Sequence, residues 1–170
     1  MTLVVISFAV ALSLIACGGN QAGYDIPAVD GTFGDAGNTI ALRDVLIPSP
    51  RTPQGAYPAG STVPVFLAIV NQGNQVDKLI AVTSPEASQV QMIGVTDIPP
   101  GGTVISTASS AAVNTPPASP LVAGRLQILL TLNQVLRDGL NIPVTFQFQH
   151  AGMVTLSVST GARSDVINSS

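Results

Sequence analysis

Polar and apolar residues alternate strictly in two neighbouring segments near the C-terminus. Every second residue is apolar in VTFQFQ, residues 144–149, and the same period recurs in VTLSVS, residues 154–159. A period of two is typical of a β-strand that has one face in the core and the other in water. His150, the only histidine of the chain, lies between the two segments. The pattern therefore predicts a β-hairpin with His150 at its tip.

Shorter apolar runs, separated by Gly-, Pro- and Asn-rich turns, fill the chain from residue 39 onward. TIALRDVLI changes phase at Arg43-Asp44, which predicts a strand with a β-bulge. STVPVFLAIVN is apolar on both phases, which predicts a central strand whose start, at Pro64, lies at an edge. The proline-rich SSAAVNTPPASP predicts a long surface loop. Four further runs predict strands: KLIAVTS, SQVQMIGV, TVISTAS and RLQILLTL.

No amphipathic helical segment separates these runs. Many β-branched residues occur with abundant Gly and Pro, which also favours strands over helices. The spacing therefore predicts one all-β domain over residues 39–160, a Greek-key β-sandwich of immunoglobulin-like type with about eight strands.

The first 16 residues contain an apolar run that is too short to cross a bilayer as a helix but fits the core of an export signal. Its ending, Leu14-Ile15-Ala16-Cys17, resembles a bacterial lipobox. The resemblance implies that residues 1–16 are a lipoprotein signal peptide and that Cys17 carries a diacylglycerol and palmitate anchor. The alternative is a buried structural cysteine in an apolar strand. No Lys or Arg precedes the run, so we expect translation to begin upstream of Met1.

Residues 17–38 are rich in Gly and Asp and show no strand or helix period. They are predicted to be the lipidated cysteine and a flexible tether with a reach on the order of 25 Å. Asp25, Asp30 and Asp35 suggest a calcium loop, but their spacing does not match an EF-hand and no Glu closes the set, so a solvated linker is favoured. Residues 161–170 are predicted to be a frayed C-terminal tail.

Charge limits the range of partners. The net charge is −3, and the six Lys and Arg residues are scattered along the chain. A nucleic-acid partner requires a clustered basic face, and a basic membrane patch requires the same, so neither is expected. We expect the membrane to be reached through the lipid anchor alone, on the extracytoplasmic face of the cell membrane.

The residues required for common catalytic sites are missing from the sequence. There is no Gly-x-Ser-x-Gly motif, and the single histidine is predicted at a turn. Glu86 is the only glutamate, and no Cys/His cluster exists for zinc. The aspartates of the domain are expected to accept local backbone hydrogen bonds in turns, among them Asp77, Asp97 and Asp138. We therefore predict a non-enzymatic protein with no catalytic residue, no cofactor and no metal.

Four segments in a characteristic order resemble a known family: NQGNQ, DKLIAVTSPEAS, IPPGGTV and LNQVLRDGLNIPVTFQFQHAGMVTLSV. They are similar to the periplasmic copper chaperone domain PCuAC and, more closely, to the LpqE-like lipoproteins of mycobacteria and related actinobacteria. The resemblance spans roughly residues 39–159. It implies a cupredoxin-like sandwich on a cell-envelope lipoprotein, with an unidentified envelope protein or ligand as its partner.

The resemblance to PCuAC also implies a Cu(I) site built from Met and His, which are soft ligands suited to that ion. When the chains are matched at LRDG, the family's His-x-Met pair falls on Leu126 and Ile128, and another His falls near Ile93. None of these three side chains binds a metal. The alternative is a Cu(I) carrier with degenerate or relocated ligands, for which the remaining donors are Met92, His150 and Met153.

Overall fold

The computed structural model describes residues 31–161, and the regular secondary structure of this part is almost entirely β-strand. It contains thirteen strands, of which eight have five residues or more, and one short helix, α1 (Ser110–Val113). The strands are β1 (Thr32–Ala36), β2 (Ile40–Pro48), β3 (Ala56–Tyr57), β4 (Thr62–Pro64), β5 (Phe66–Asn71), β6 (Asp77–Thr83), β7 (Ala87–Gly94), β8 (Asp97–Ile98), β9 (Thr103–Ser106), β10 (Val122–Leu132), β11 (Leu136–Arg137), β12 (Asn141–Phe148) and β13 (Gly152–Gly161).

Eleven of these strands form one curled sheet with the order β4-β10-β9-β5-β2-β13-β12-β6-β8, in which β1 also pairs with β2 and β7 with β10. Strands β3 and β11 form a separate two-stranded sheet. The pairs β9–β10 and β2–β13 are parallel, and the other pairs are antiparallel. The curled sheet encloses an apolar core, which confirms the predicted all-β sandwich.

Val, Ile and Leu supply most of the core because the chain has no Trp and few other aromatic residues. Phe146 and Phe148 on β12 are its buried phenylalanines. Within the described residues, the core cluster extends from Ala36 to Val158. Burial of a single Leu, Ile or Phe side chain contributes about 1.5–3 kcal/mol to the free energy of folding.

The predicted C-terminal hairpin is confirmed. Strands β12 and β13 are antiparallel, with Phe146 opposite Val154 and Phe148 opposite Gly152. The connecting turn comprises residues 149–151, so His150 lies at its tip. The predicted β-bulge is also present, since the pairing of β2 with β5 shifts between Arg43 and Leu46. Asp44, inside the bulge, has a φ of 52°.

The segment STVPVFLAIVN forms two strands instead of the single strand that we predicted. β4 pairs with β10, whereas β5 lies between β2 and β9. The break follows Pro64, which has no N–H to donate to a second neighbouring strand. Val65 donates its N–H to the Ile128 carbonyl at 3.0 Å, and β5 begins at the next residue.

The predicted tether extends too far towards the C-terminus, because its last part is strand β1 and the turn that follows. Gly34 lies where an added Cβ would be 2.3 Å from Leu156 Cδ2, so a larger residue there would force the Leu156 side chain to move. Arg43 Nη1 donates to the Gly34 carbonyl and, at 3.1 Å, to the Asp35 carboxylate. The Gly and Asp residues that are typical of a linker are here used for close packing and an ion pair.

Residues 1–30 and 162–170 lie outside the described part of the chain. The predicted signal peptide, Cys17, most of the tether and nearly all of the C-terminal tail therefore remain predictions. Within residues 31–161, no helix has the length and hydrophobicity needed to cross a membrane.

Candidate functional site

The two positions at which the resemblance to PCuAC implies copper ligands lie inside the core. Leu126 and Ile128 on β10 are both 0% exposed and belong to the core cluster. Ile93 on β7, near the position of the family's other histidine, is 40% exposed. Hydrocarbon side chains have no lone pair for a metal, so these residues do not fit a copper ion.

The remaining soft donors are divided between two regions. Met92 lies on β7, opposite Ile128 of β10, and packs against the core. Met153 is 69% exposed at the start of β13, next to the turn that carries His150. The structure therefore places His150 and Met153 at one hairpin end, with Met92 in the β7–β10 pair. No group of three or more His, Cys, Asp or Glu residues suited to a metal occurs within residues 31–161.

Asp77, the first residue of β6, is buried beneath the β12–β13 turn, with 4% of its surface exposed. Its Oδ1 accepts hydrogen bonds from the backbone N–H groups of Lys78 at 2.7 Å and His150 at 3.0 Å. Its Oδ2 accepts the N–H of Ala151 at 2.9 Å. One carboxylate thus satisfies two N–H groups of the turn and fixes the turn to β6.

The charged form of Asp77 is stabilised by these contacts. Burial, the largest single influence, raises the pKa of Asp77, but the N–H groups of His150, Lys78 and Ala151, together with the charge of His150, outweigh it. The net pKa of this carboxyl therefore lies below its ordinary value. His150 Nδ1 is 3.6 Å from Asp77 Oδ1, too far for a hydrogen bond.

A cavity of about 90 Å³ lies beside Asp77 and is lined largely by residues of the NQGNQ turn. Asn71 Nδ2 donates to the Gln75 and Ile98 carbonyls and so closes this turn. At about 30 Å³ per water molecule, the cavity has room for roughly three waters. Asp77 and its surroundings have the geometry of a turn anchor, with little room for a ligand.

A larger cavity, of about 290 Å³, lies between β9, β10 and the loop of residues 107–121. Apolar side chains supply part of its lining, and Arg125 of β10 supplies a positive charge. From the sequence, this loop was predicted to be a surface connection, and Arg125 was counted among the scattered Lys and Arg residues. The available signal was that Arg125 is the only charged residue in the otherwise largely apolar strand VAGRLQILLTL.

Sequence reasoning also missed the role of Asp77. The predicted local bond is present, since Asp77 accepts the N–H of its neighbour Lys78. The bonds to His150 and Ala151 join residues more than 70 positions apart. These two bonds have no local sequence signal, because only the fold brings Asp77 beneath the β12–β13 turn.

Two solved structures share this fold. A copper-bound PCuAC domain from PmoF2 matches with a TM-score of 0.55 and 19% identity, over 77% of this chain and 98% of that domain. An apo PCuAC domain from PmoF1 matches with a TM-score of 0.56 and 18% identity, over 77% of this chain and 99% of that domain. At such identities the likeness concerns the fold, and it confirms the predicted cupredoxin-like sandwich.

Relatives in mycobacteria are more similar in sequence. The "Putative lipoprotein LpqE" of Mycobacterium leprae is 30% identical over 145 residues, which cover 84% of this chain and 76% of the relative. The protein of the same name from Mycobacterium tuberculosis (strain ATCC 25618 / H37Rv) is 30% identical over 157 residues, covering 89% and 84% respectively. The family model described as "Putative lipoprotein LpqE-like" matches residues 40–160. This chain therefore belongs to the LpqE-like family, as the sequence resemblance predicted.

Proposed function

We propose that this protein is a lipid-anchored lipoprotein of the cell envelope that presents a non-catalytic β-sandwich for binding or structural interaction. The observation that carries the proposal is the burial of Leu126 and Ile128 at the positions matched to copper ligands. At these positions a PCuAC-like fold has apolar core residues in place of metal ligands. Function can change while a fold is retained. Neither a catalytic group nor a metal is part of the proposal.

The distance between the proposed anchor and the domain suits this arrangement. Fourteen residues lie between Cys17 and Thr32, the residue at which β1 begins. A flexible coil of that length has a root-mean-square reach of roughly 20 Å. The polar head-group layer adds about 5–8 Å on each side of the hydrocarbon. Such a tether would hold the sandwich clear of the head groups on the extracytoplasmic face.

A Cu(I) carrier with relocated ligands is the second candidate. It is favoured by the likeness to a copper-bound PCuAC domain and by the position of His150 and Met153 at one hairpin end. A ligating histidine usually donates its other ring N–H to a carboxylate or carbonyl that fixes its orientation, and Asp77 lies near His150. However, the ring–carboxylate distance is 3.6 Å and the carboxylate already accepts three backbone N–H groups. We therefore favour the metal-free candidate.

The anchor is tested by Cys17→Ala in the full chain, expressed in a host that processes lipoproteins. We expect the variant to lose lipoprotein-type processing and to move from the detergent phase to the aqueous phase on phase separation. Ser13→Ala is the matched control, since it changes one small residue of the same segment and retains the cysteine. Unchanged partitioning of Cys17→Ala would refute the proposed anchor.

A further inference from the structure

The cavity between β9, β10 and the 107–121 loop has walls that are fixed to the sheet. Thr107 donates its N–H to the Leu126 carbonyl at 2.8 Å, and Gln127 Nε2 donates to the Ala108 carbonyl at 2.6 Å. At the other end of the loop, the Thr103 N–H donates to the Leu121 carbonyl at 3.0 Å. The loop is therefore tied to the strands at both ends, which favours a preformed cavity.

Helix α1 within this loop also lies close to the sheet. Gly94, the last residue of β7, has a φ of 110°, and an added Cβ would be 2.5 Å from both Val113 Cγ1 and the Arg125 carbonyl oxygen. Only glycine permits this approach without a shift of backbone. The glycine thus lets the end of α1 pack where β7 and β10 meet.

The cavity lies on the face of β10 opposite the core. Leu126 and Ile128 point into the core, and side chains alternate along a strand, so Arg125 lies on the other face. Arg125 is opposite Ile105 in the parallel pair of β9 and β10. Ile105 is 38% exposed, and the neighbouring Leu121 is 70% exposed. The cavity and its surroundings therefore offer apolar surface beside a guanidinium group.

Arg125 has no ion-pair partner within residues 31–161. Arg43 pairs with Asp35 and Lys78 pairs with Asp97, whereas no carboxylate lines the cavity that contains Arg125. The guanidinium group presents a planar fork of donors that matches the two oxygens of a carboxylate. A half-buried, unpaired guanidinium group beside hydrocarbon is suited to an anion that has an apolar body.

We propose that this cavity binds a small amphipathic carboxylate, with its carboxylate at Arg125 and its hydrocarbon against Ile105, Val122 and Pro117. The proposal rests on the proposed function as a binding module and names the class of its ligand. At about 30 Å³ per water molecule, 290 Å³ equals the space of roughly ten waters. A ligand of about ten non-hydrogen atoms, such as octanoate, therefore matches the cavity.

The test uses the chain from residue 18 onward, which contains every residue of the core cluster described above, and sodium octanoate as the probe. Binding is followed by calorimetry and by amide NMR shifts. We expect saturable binding, with shifts concentrated in residues 103–107 and 117–125. Arg125→Gln should weaken the binding at least tenfold. Arg137→Gln is the matched control, because Arg137 is exposed on β11 and does not line the cavity. The Arg137→Gln variant should bind octanoate with the same affinity as the parent protein.

Two further measurements keep the result unambiguous. Octan-1-ol, which has the same hydrocarbon body without the charge, should bind at least tenfold more weakly than octanoate. Ala118→Trp, at an exposed position of the cavity wall, should block octanoate while Arg125 is retained. Absence of octanoate binding, equal affinity for octanol, or unchanged binding by a folded Arg125→Gln variant would overturn the proposal. Such a result would leave Cys17-dependent anchoring intact, so it is distinguishable from failure of the proposed function.

Discussion

The likeness to PCuAC draws attention to two regions as possible copper sites, strand β10 and the β12–β13 turn. They differ in the burial and the chemistry of their side chains. On β10, Leu126 and Ile128 occupy the matched ligand positions and are completely buried. At the turn, His150 and Met153 are exposed and carry donor atoms, but the nearby carboxylate of Asp77 is used by backbone N–H groups. The fold depends on an alternating pattern of apolar side chains, whereas a metal site depends on a few donor side chains. The fold can therefore persist after the metal site is lost.

The largest difference between the two regions should appear when a matched ligand position is truncated. Leu126→Ala leaves a cavity in the core and should lower the free energy of unfolding by about 2–5 kcal/mol. Leu121→Ala is the control with the same chemical change at a position that is 70% exposed, and its effect should stay within about 0.5 kcal/mol. Urea denaturation of both variants measures the contrast. Similar values for the two would contradict the assignment of Leu126 to the core.

A smaller loss is expected at the carboxylate beneath the turn. Asp77→Asn retains the shape of the side chain but places an NH2 group where one oxygen accepted an N–H. The variant should lose about 1–3 kcal/mol, the usual cost of leaving a buried donor unsatisfied. Asp97→Asn is the matched control, because Asp97 is exposed on β8. If Asp77→Asn were as stable as this control, the turn would not depend on the buried carboxylate.

The same carboxylate should make stability depend on pH in acid. The pKa of Asp77 is lower in the folded protein than its ordinary value of about 3.9. The unfolded chain therefore binds the proton more readily, and the stabilisation is present above about pH 4 and is lost as the pH falls through the folded pKa. Denaturation between pH 5 and pH 2 should show a flatter profile for Asp77→Asn than for the parent protein. Parallel profiles for the two proteins would contradict the lowered pKa of Asp77.

The smallest effect is expected for the histidine itself. The turn bonds to Asp77 come from backbone N–H groups, which His150→Ala retains, and the imidazole is 57% exposed. We expect the free energy of unfolding to change by no more than about 0.5 kcal/mol. Thermal or urea denaturation of His150→Ala, measured in parallel with Asp77→Asn and the parent protein, provides the check. A loss above about 1 kcal/mol would assign the imidazole a structural role.

The sequence predicted best those features that depend on local alternation. The period of two in residues 144–149 and 154–159 determines which side chains enter the core, so the hairpin and its turn were predicted correctly. The phase change at Arg43-Asp44 predicted the bulge for the same reason. Leu126 and Ile128 were recognised as unsuitable for copper because side-chain chemistry alone decides that question.

Features that depend on long-range placement were missed. Strand β1 has the composition of a linker, and its place in the sheet becomes visible only when Leu156 and Arg43 lie beside it. Asp77 receives N–H groups from a turn far along the chain, which no local pattern contains. The cavity at Arg125 exists because a proline-rich loop folds back over β9 and β10. A single sequence contains no signal that this loop packs over β9 and β10.

The central claim, that a PCuAC-like scaffold has exchanged its metal positions for hydrophobic core, is tested most directly by a Cu(I) competition titration. The chain from residue 18 onward is titrated against a colorimetric Cu(I) chelator, with His150→Ala and Met153→Ala in parallel. We predict that the chelator keeps the copper and that the three proteins behave alike. Stoichiometric retention of Cu(I) at submicromolar affinity by the parent protein, lost in either variant, would contradict the account.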